Sequence, residues 1–343
     1  MKRSFCLYEY LLWMLILLTV MLLCICMGSV PVSLADTLRV LWQAVTGGDT
    51  ASAMHRAIIL SVRVPRVLCV GLMGAALALG GAAMQGLLRN PLADGSTLGI
   101  SSGASLGAAV AILTGFSIPG LPLAGTAVMA MLFGLLSLAV LLSLAWVLDH
   151  SLSTHTVILI GVIFSMLVSS LLSLLLVFSG DKLRTITFWT MGSAASASYP
   201  AAVLLAVVLL AAGSVLISRA RQLNAMSVGE EHALHLGVNV RAARLTVMVA
   251  VSCLVGVCVS VGGCIGFVGL VTPHILRMLV GPDHRRLLPA SLFGGAVFLL
   301  LADLLARTVC APNELPIGAV TSIIGACVFV SVFIRQRKAG DGA

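Results

Sequence analysis

The sequence predicts an all-α protein, a polytopic bundle of about ten transmembrane helices with both termini in the cytoplasm. Hydrophobic residues make up 60% of the 343 residues and charged residues only 9%, whereas a soluble domain contains roughly 45 to 50% apolar residues. Apolar runs also repeat along the whole chain. Each run approaches the ~20 residues that a helix needs to cross ~30 Å of hydrocarbon while satisfying its own backbone hydrogen bonds.

The first predicted span follows Lys2 and Arg3 and therefore also resembles a secretory signal. Its apolar stretch is long enough to span, so we predict a retained helix. The seventh and eighth spans are separated only by the Gly-rich stretch VGGCIGFVGL, so one of them is expected to be short or broken. The ten predicted spans are 11–30, 64–88, 96–114, 121–148, 154–178, 199–218, 243–262, 264–280, 288–309 and 316–334.

The distribution of basic residues sets the orientation. With the N-terminus inside, 13 of the 20 Lys and Arg residues face the cytoplasm, as the positive-inside rule requires. The net charge of +8 therefore needs no nucleic-acid partner, and the nine cysteines, mostly within spans and without a CxxC pair, suggest neither disulfide nor metal clip. The seven basic residues predicted outside are Arg39, Arg56, Arg63, Arg66, Lys182, Arg184 and Arg307.

Small residues recur every fourth position in the second and third spans. Helices in lipid associate by close van der Waals contact, which small residues permit. We therefore predict packing faces within one bundle rather than a pore lining. The faces are Gly74, Ala78, Ala82 and Gly86, and then Gly99, Gly103, Gly107, Ala111 and Gly115.

Asp303 and Arg307 lie four residues apart in the ninth span, LLLADLLARTV. Two interpretations remain open. The residues could form an ion pair on one helix face, which helps insertion. Alternatively, Asp303 could contact a proton or substrate, because ionisable residues within a membrane are functional candidates.

Basic residues also lie just before the second span, in the outer-side stretch RVPR, Arg63 to Arg66. Pro65 interrupts helical hydrogen bonding, so we expect a stiff entry turn that presents both guanidinium groups at the outer surface. Arginine pairs carboxylates bidentately, which suits an acidic partner protein. Solvation or binding to lipid phosphate is the alternative.

The longest polar segment on the inner side, residues 226–245, contains His232 and His235 three positions apart. A solvated helix face is the favoured interpretation of this pair, and a metal site is the alternative. Downstream, TPHILR places Pro273 near a helix entry, and GPDHRR ends the helix at Gly281 and Pro282. His274 as a haem or metal ligand is less favoured than a role at this helix end.

Several ordered motifs then resemble one family. These are RVPR, GAALALGGAAMQGLLRNPLADGSTLGISSGA, FWTMGS, VGEEHALHLGV, IGFVGLVTPHILRMLVGPDHRRLLP, ADLLAR and NELPIG. Together, from about residue 56 to the C-terminus, they resemble the ATP-binding-cassette (ABC) permeases of bacterial ferric-siderophore, haem and cobalamin importers. The resemblance implies a single transmembrane permease domain over 1–343 in the bacterial inner membrane, without cofactor or metal.

The resemblance also implies partners: two cytoplasmic ATPase subunits, a periplasmic or lipid-anchored substrate-binding protein, a second permease copy in a homodimer or a paired permease, and membrane lipid. The chain is not expected to hydrolyse ATP, since Lys2, Lys182 and Lys338 are its lysines and none follows the Gly of a phosphate-binding loop. A ferric siderophore is the first cargo candidate, with haem or cobalamin as alternatives. The rival class is a proton-coupled secondary transporter with Asp303 as relay.

Site residues follow from the same resemblance. Arg63, Arg66 and Arg307 match the arginines that meet acidic residues of the binding protein. The cytoplasmic loop, about residues 219–244, is expected to contact the ATPase through short helices. Its matching positions are Gly229, Glu230, Ala233, Leu236 and Gly237, and the family signature residues without an assigned role are Pro273, His274, Arg277 and Asp303.

Overall fold

The computed structural model describes residues 6–28, 30, 32–47, 52–118, 122–150 and 153–340. Its elements are helical, and a π-helical segment, Ala57–Arg63, joins the third helix to the fourth. The helices are α1 (Leu7–Cys26), α2 (Leu34–Thr46), α3 (Ala53–Arg56), α4 (Val64–Leu88), α5 (Ile100–Thr114), α6 (Pro122–Leu148), α7 (Thr154–Val177), α8 (Leu183–Thr190), α9 (Tyr199–Ser218), α10 (Ala220–Val228), α11 (Glu230–His235), α12 (Val240–Gly262), α13 (Val268–Val280), α14 (His284–Thr308) and α15 (Ile317–Gly340).

The predicted fold class is confirmed. Within the described ranges, seven helical stretches are long and apolar enough to cross a membrane, and three shorter apolar helices lie at α5, α13 and the first part of α15. Each of these ten falls on one predicted span. Lys2 and Arg3, used to orient the chain, lie outside the described residues.

The expected short span is α13, which begins only at Val268. Before it, residues 263–267 are not helical, and both Gly263 and Phe267 have a positive φ. Other segments of the chain make polar contacts with this stretch and the residue before it. The Ser193 N–H donates to the Gly262 carbonyl at 2.8 Å, and the Ser105 hydroxyl of α5 lies 2.9 Å from the Cys264 sulfur. Irregular backbone at membrane depth is tolerated where protein covers it in this way.

Helix α4 lies at the centre of the bundle. In Ala53–Leu88, the helical stretch that contains α4, 83% of the residues in the most apolar 18-residue segment are buried. The corresponding fraction is 11% in α1 and 22% in α7. Its predicted small-residue face is confirmed, because Gly74 lies directly against the backbone of Gly295 on α14. Gly81 approaches Gly269 of α13 in the same way, and Gly103 of α5 packs against α6. Small residues thus let three helices approach α4 or α5 at backbone distance.

Pro273 lies inside α13 rather than near its entry, which corrects the sequence-based expectation. A proline within a helix leaves the carbonyl four residues earlier without its usual donor. That carbonyl belongs to Gly269, and the Gln85 side-chain amide of α4 donates to it at 3.4 Å and to the Leu270 carbonyl at 3.1 Å. Arg277 in turn donates to the Gln85 side-chain oxygen at 3.0 Å. The proline is therefore accommodated by a polar contact from α4.

The turn between α13 and α14 follows the prediction. α13 ends at Gly281, whose φ is +90° and whose N–H donates to the Arg277 carbonyl. The Asp283 carboxylate then accepts the Arg285 N–H at 3.0 Å and caps α14.

Two glycines of α4 provide a matched test of this packing. In Gly74→Ala the new Cβ would lie 2.8 Å from the Leu299 Cβ and closer still to the Gly295 carbonyl oxygen, so α4 and α14 must separate. In Gly71→Ala the nearest atom is 3.7 Å away, an ordinary contact. We expect Gly74→Ala to destabilise the fold by about 1–3 kcal/mol and Gly71→Ala to be tolerated. Melting temperatures in detergent measure both, and equal values would contradict the packing.

Candidate functional site

The outer ends of α4 and α14 meet in a buried cluster of charges. The Arg66 Nη2 lies 2.9 Å from an Asp303 oxygen, and the Arg307 Nε lies 3.1 Å from the other. Arg66 Nη1 also binds both oxygens of Glu314 at 2.9 Å. The Asp303 side chain is fully buried, so its charge depends on these two guanidinium groups. Of the two interpretations of Asp303 and Arg307, the ion pair on one helix face is present in the structure, and the proton or substrate contact stays a prediction.

Arg307 and a further arginine, Arg63, hold the end of α1. Arg63 donates to the carbonyls of Ile25 and Cys26 at 2.7 and 2.8 Å and to that of Val30. Arg307 donates to the Cys24 carbonyl at 2.9 Å. The last carbonyls of a helix lack partners within the helix. Two cations therefore satisfy the C-terminal end of α1 and fix it to the cluster.

The expected outward presentation of these arginines is wrong. Arg63, Arg66 and Arg307 are only 4%, 7% and 5% exposed. The helical path runs without interruption from Ala53 to Leu88, so Pro65 does not turn the chain outward, and the guanidinium groups point toward α1 and α14. Their role in docking a binding protein is untested by this placement and stays a prediction.

At the inner end, the cytoplasmic loop forms short helices as expected, α10 and α11. Glu230 at the start of α11 accepts a bond from the buried Arg244 of α12 at 2.5 Å and lies 3.6 Å from Arg89 at the end of α4. Ala233 is buried beneath the segment. Gly237 adopts a left-handed φ of +76°, as a sharp turn requires. Gly229 has an extended backbone instead, so the turn there does not require glycine.

Large apolar side chains lie among the exposed residues of this segment, beside polar ones such as Glu231 and His232. Leu234 and Leu236 are 59% and 64% exposed, and Val228 is exposed as well. Beside them lies a cleft of about 510 Å³ lined by Glu230, Leu234 and residues 237–241. Solvent-facing leucines around a cleft, on a segment tied to α4 and α12, are typical of a protein-docking surface.

A contact that sequence reasoning missed joins α10 to α14. The Asn224 side chain donates to Asp283 at 2.7 Å and accepts the His284 N–H at 2.8 Å. Its oxygen also lies 2.7 Å from the His284 Nδ1. Hydrogen bonds from Arg285 and Asn224 hold the pKa of the Asp283 carboxyl well below its usual range. An asparagine within a polar loop gives no sequence signal for such a clamp.

Two other missed residues have weak signals. Gln85 is the lone polar side chain in a long apolar and glycine-rich run, and Glu314 stands in the motif NELPIG. The signature residue His274 lies 6.0 Å, ring to ring, from Phe329 of α15. His232 and His235 lie on α11 and are exposed. Among the residues the structure describes, no group of three or more His, Cys, Asp or Glu side chains is placed to hold a metal ion.

Comparisons with known proteins agree over nearly the whole chain. Residues 15–335 match the FecCD transport family. The chain is 42% identical to the uncharacterized ABC transporter permease YvrB of Bacillus subtilis, over 91% of this chain and 89% of that protein. It is 38% identical to the hemin transport system permease HmuU of Yersinia pestis, over 96% and 97%. A solved metal-chelate type ABC transporter in an inward-facing conformation superposes with a TM-score of 0.83 at 34% identity, covering 95% and 98%.

The outer charge cluster makes a stability prediction. Asp303→Asn removes the carboxylate shared by two buried arginines, and breaking a buried ion pair costs about 3–5 kcal/mol. Asp36→Asn is the matched control, because its pair with Arg39, at 3.6 Å, is solvent-exposed and worth about 0–1 kcal/mol. Thermal unfolding of the purified protein should show a large loss for Asp303→Asn alone. Similar losses in both variants would argue against the cluster.

Proposed function

Because the chain belongs to the FecCD transport family, we propose that it carries a metal chelate, first of all a ferric siderophore, into the bacterial cytoplasm. The chain is the membrane-spanning permease subunit of an ABC importer, and ATP hydrolysis belongs to a separate subunit.

The observation that carries the proposal is the segment α10–α11. Its exposed side, Leu234 and Leu236, provides apolar surface for a groove of the ATPase. Its inner side is held by the ion pair between Glu230 and Arg244 and by the hydrogen bond that Asn224 donates to Asp283. A displacement of the segment would therefore reach both α12 and α14. This arrangement supports the assignment of Gly229, Glu230, Ala233, Leu236 and Gly237 to ATPase coupling.

In this mechanism the permease alternates between outward and inward access. A partner shifts such an equilibrium only if it binds the two states with different free energies. The ATPase changes shape with its nucleotide, and the α10–α11 surface transmits that difference to the helices. The chain supplies the path and its gates and performs no bond chemistry.

Docking of a substrate-binding protein near Arg63, Arg66 and Arg307 also belongs to the proposal. Arg66 is the residue that a partner would reach first, since its Glu314 partner is itself 44% exposed on its side chain. An acidic residue of the binding protein would replace Glu314 on Arg66, exchanging one carboxylate for another. Arg63 and Arg307 would act one layer deeper, by holding the end of α1.

A second copy of the chain is proposed to face α7. This helix is long, apolar and mostly exposed, yet Ser169, Ser170 and Ser173 lie on its exposed surface. Beside them a cleft of about 540 Å³ is lined by Ser96, Thr97 and five residues of α7, Val162, Ser165, Met166, Ser169 and Ser170. The Ser170 and Ser173 hydroxyls donate to the Met166 and Ser169 carbonyls at 2.9 and 3.0 Å, and their remaining acceptor capacity suits a wetted path between two permeases. A homodimer with this cleft along its central path accounts for their position.

Haem and cobalamin remain the alternative cargoes. The hemin permease of Yersinia pestis covers almost all of this chain, which supports haem most directly of the two. The proton-coupled transporter is not supported, because the chain belongs to the FecCD transport family and its relatives are ABC transporter permeases and transport-system permeases.

The coupling surface yields a direct prediction. The double variant Leu234→Glu with Leu236→Glu places charge on the surface proposed to enter the ATPase groove, so ATPase association should fall at least about tenfold, a loss of ~1.4 kcal/mol. The control variant Leu183→Glu with Phe188→Glu introduces two glutamates at exposed apolar positions of α8, on the outer side. Co-purification with the ATPase measures the effect. Retained association in the double variant would remove the assignment.

Cargo is tested in proteoliposomes that contain the permease, its ATPase and its binding protein. We expect ATP-dependent uptake of a ferric siderophore and less uptake of hemin or cobalamin at equal concentrations. Preferential uptake of hemin or cobalamin would correct the cargo and leave the permease role intact. Uptake driven by a pH gradient without ATP would contradict both.

A further inference from the structure

An apolar groove lies between α6, α9 and α12. Its volume is about 700 Å³, and its lining includes Leu135 of α6, Val215 of α9, and Leu245, Val249 and Gly256 of α12. The lining is mostly apolar, and its hydroxyl groups, those of Thr246 and Ser252, donate to carbonyls within α12. A Cβ added to Gly256 would meet open space, so this part of the groove is unfilled by the chain's own side chains.

The groove has the depth of one membrane leaflet. From Leu245 to Gly256 it follows α12 for 11 residues, or about 16 Å at ~1.5 Å per residue. The hydrocarbon core is ~30 Å thick, so one leaflet measures about 15 Å. Since α12 begins beside the cytoplasmic segment α10–α11, the groove extends from the inner surface to the middle of the membrane.

The inner end of the groove is basic and aromatic. Arg241 precedes Leu245 by four residues on α12, and Arg219 follows Val215 by four at the end of α9, so each lies near the helix face that lines the groove. Arg219 donates through Nη1 to the Gln222 side chain at 3.0 Å, and its other guanidinium N–H groups are the ones offered to a phosphate. Trp146 follows Leu135 by 11 residues, or about three turns of α6. The Arg241 guanidinium lies 3.9 Å from the centre of the Trp146 ring, which joins α6 to α12 across this end.

We propose that this groove binds one anionic phospholipid of the inner leaflet, such as phosphatidylglycerol. One acyl chain lies in the apolar groove, and the phosphate is held by Arg219 and Arg241. Trp146 lies at headgroup depth, where amphipathic aromatic residues are favoured. Basic pockets between transmembrane helices on the cytoplasmic side match anionic headgroups. Because α9 leads directly into α10 and α11 precedes α12, the lipid would brace the helices that carry the ATPase-contacting segment.

Native mass spectrometry of the purified full-length chain tests this proposal, with phosphatidylglycerol and phosphatidylethanolamine of identical acyl chains as probes. The wild type should retain one phosphatidylglycerol per chain. The double variant Arg219→Gln with Arg241→Gln should lower the preference for phosphatidylglycerol over phosphatidylethanolamine roughly 30-fold. Each Lys or Arg near an anionic headgroup contributes about 1 kcal/mol of binding free energy, and the variant removes two. The matched control Arg39→Gln with Arg184→Gln removes the same charge on the outer side and should leave the preference unchanged.

Gly256→Leu fills the groove and should abolish retention of either lipid, whereas Gly256→Ala should keep it. Melting temperatures of both variants, measured without added lipid, establish that they are folded. Wild-type retention by a folded Gly256→Leu would overturn the proposal. The proposal would also be overturned if Gly256→Leu lost a permease dimer while its lipid binding stayed unchanged, because the groove would then hold a second copy of the chain.

Discussion

The backbone contact between α4 and α14 is the constraint on which the rest of the structure depends. Gly74 and Gly295 approach so closely that neither position has room for a side chain. Lipid offers no hydrophobic drive for association, so a contact of this kind must come from packing alone. Both helices cross the membrane, and each end of the pair carries one of the polar clusters. A single packed unit thus connects the two surfaces of the protein.

The two clusters differ in what they leave exposed. At the outer end, Arg66 and Arg307 form ion pairs with Asp303, and Arg307 also holds α1, so the buried charges of this end are paired within the protein. At the inner end, Asn224 links α14 to a segment whose leucines face solvent. An ATPase that binds the α10–α11 segment would therefore act on α14 directly. The outer end would respond through the same helix rather than through a separate contact.

Sequence reasoning predicted the elements better than their contacts. Apolar length located ten helices, and the glycine-rich stretch before Val268 indicated the short α13, because both follow from local composition. The exposure of Arg63 and Arg66 was mispredicted, since a proline was expected to turn the chain and the helix instead continues through it. Which side of a helix faces its neighbours is a tertiary property. The clamp at Asn224 and the partner Glu314 depend on residues far apart in sequence, so no local pattern could show them.

Hydrogen exchange of the complete transporter tests the central claim most directly. The claim is that α4 and α14 form one rigid unit and that the ATPase acts on it through α10–α11. Amide exchange should be compared with and without bound nucleotide. Protection should change in residues 220–239 while the amides around Gly74 and Gly295 stay equally protected in both states. Nucleotide-dependent exchange within the α4–α14 contact, with an unchanged α10–α11 segment, would contradict the account.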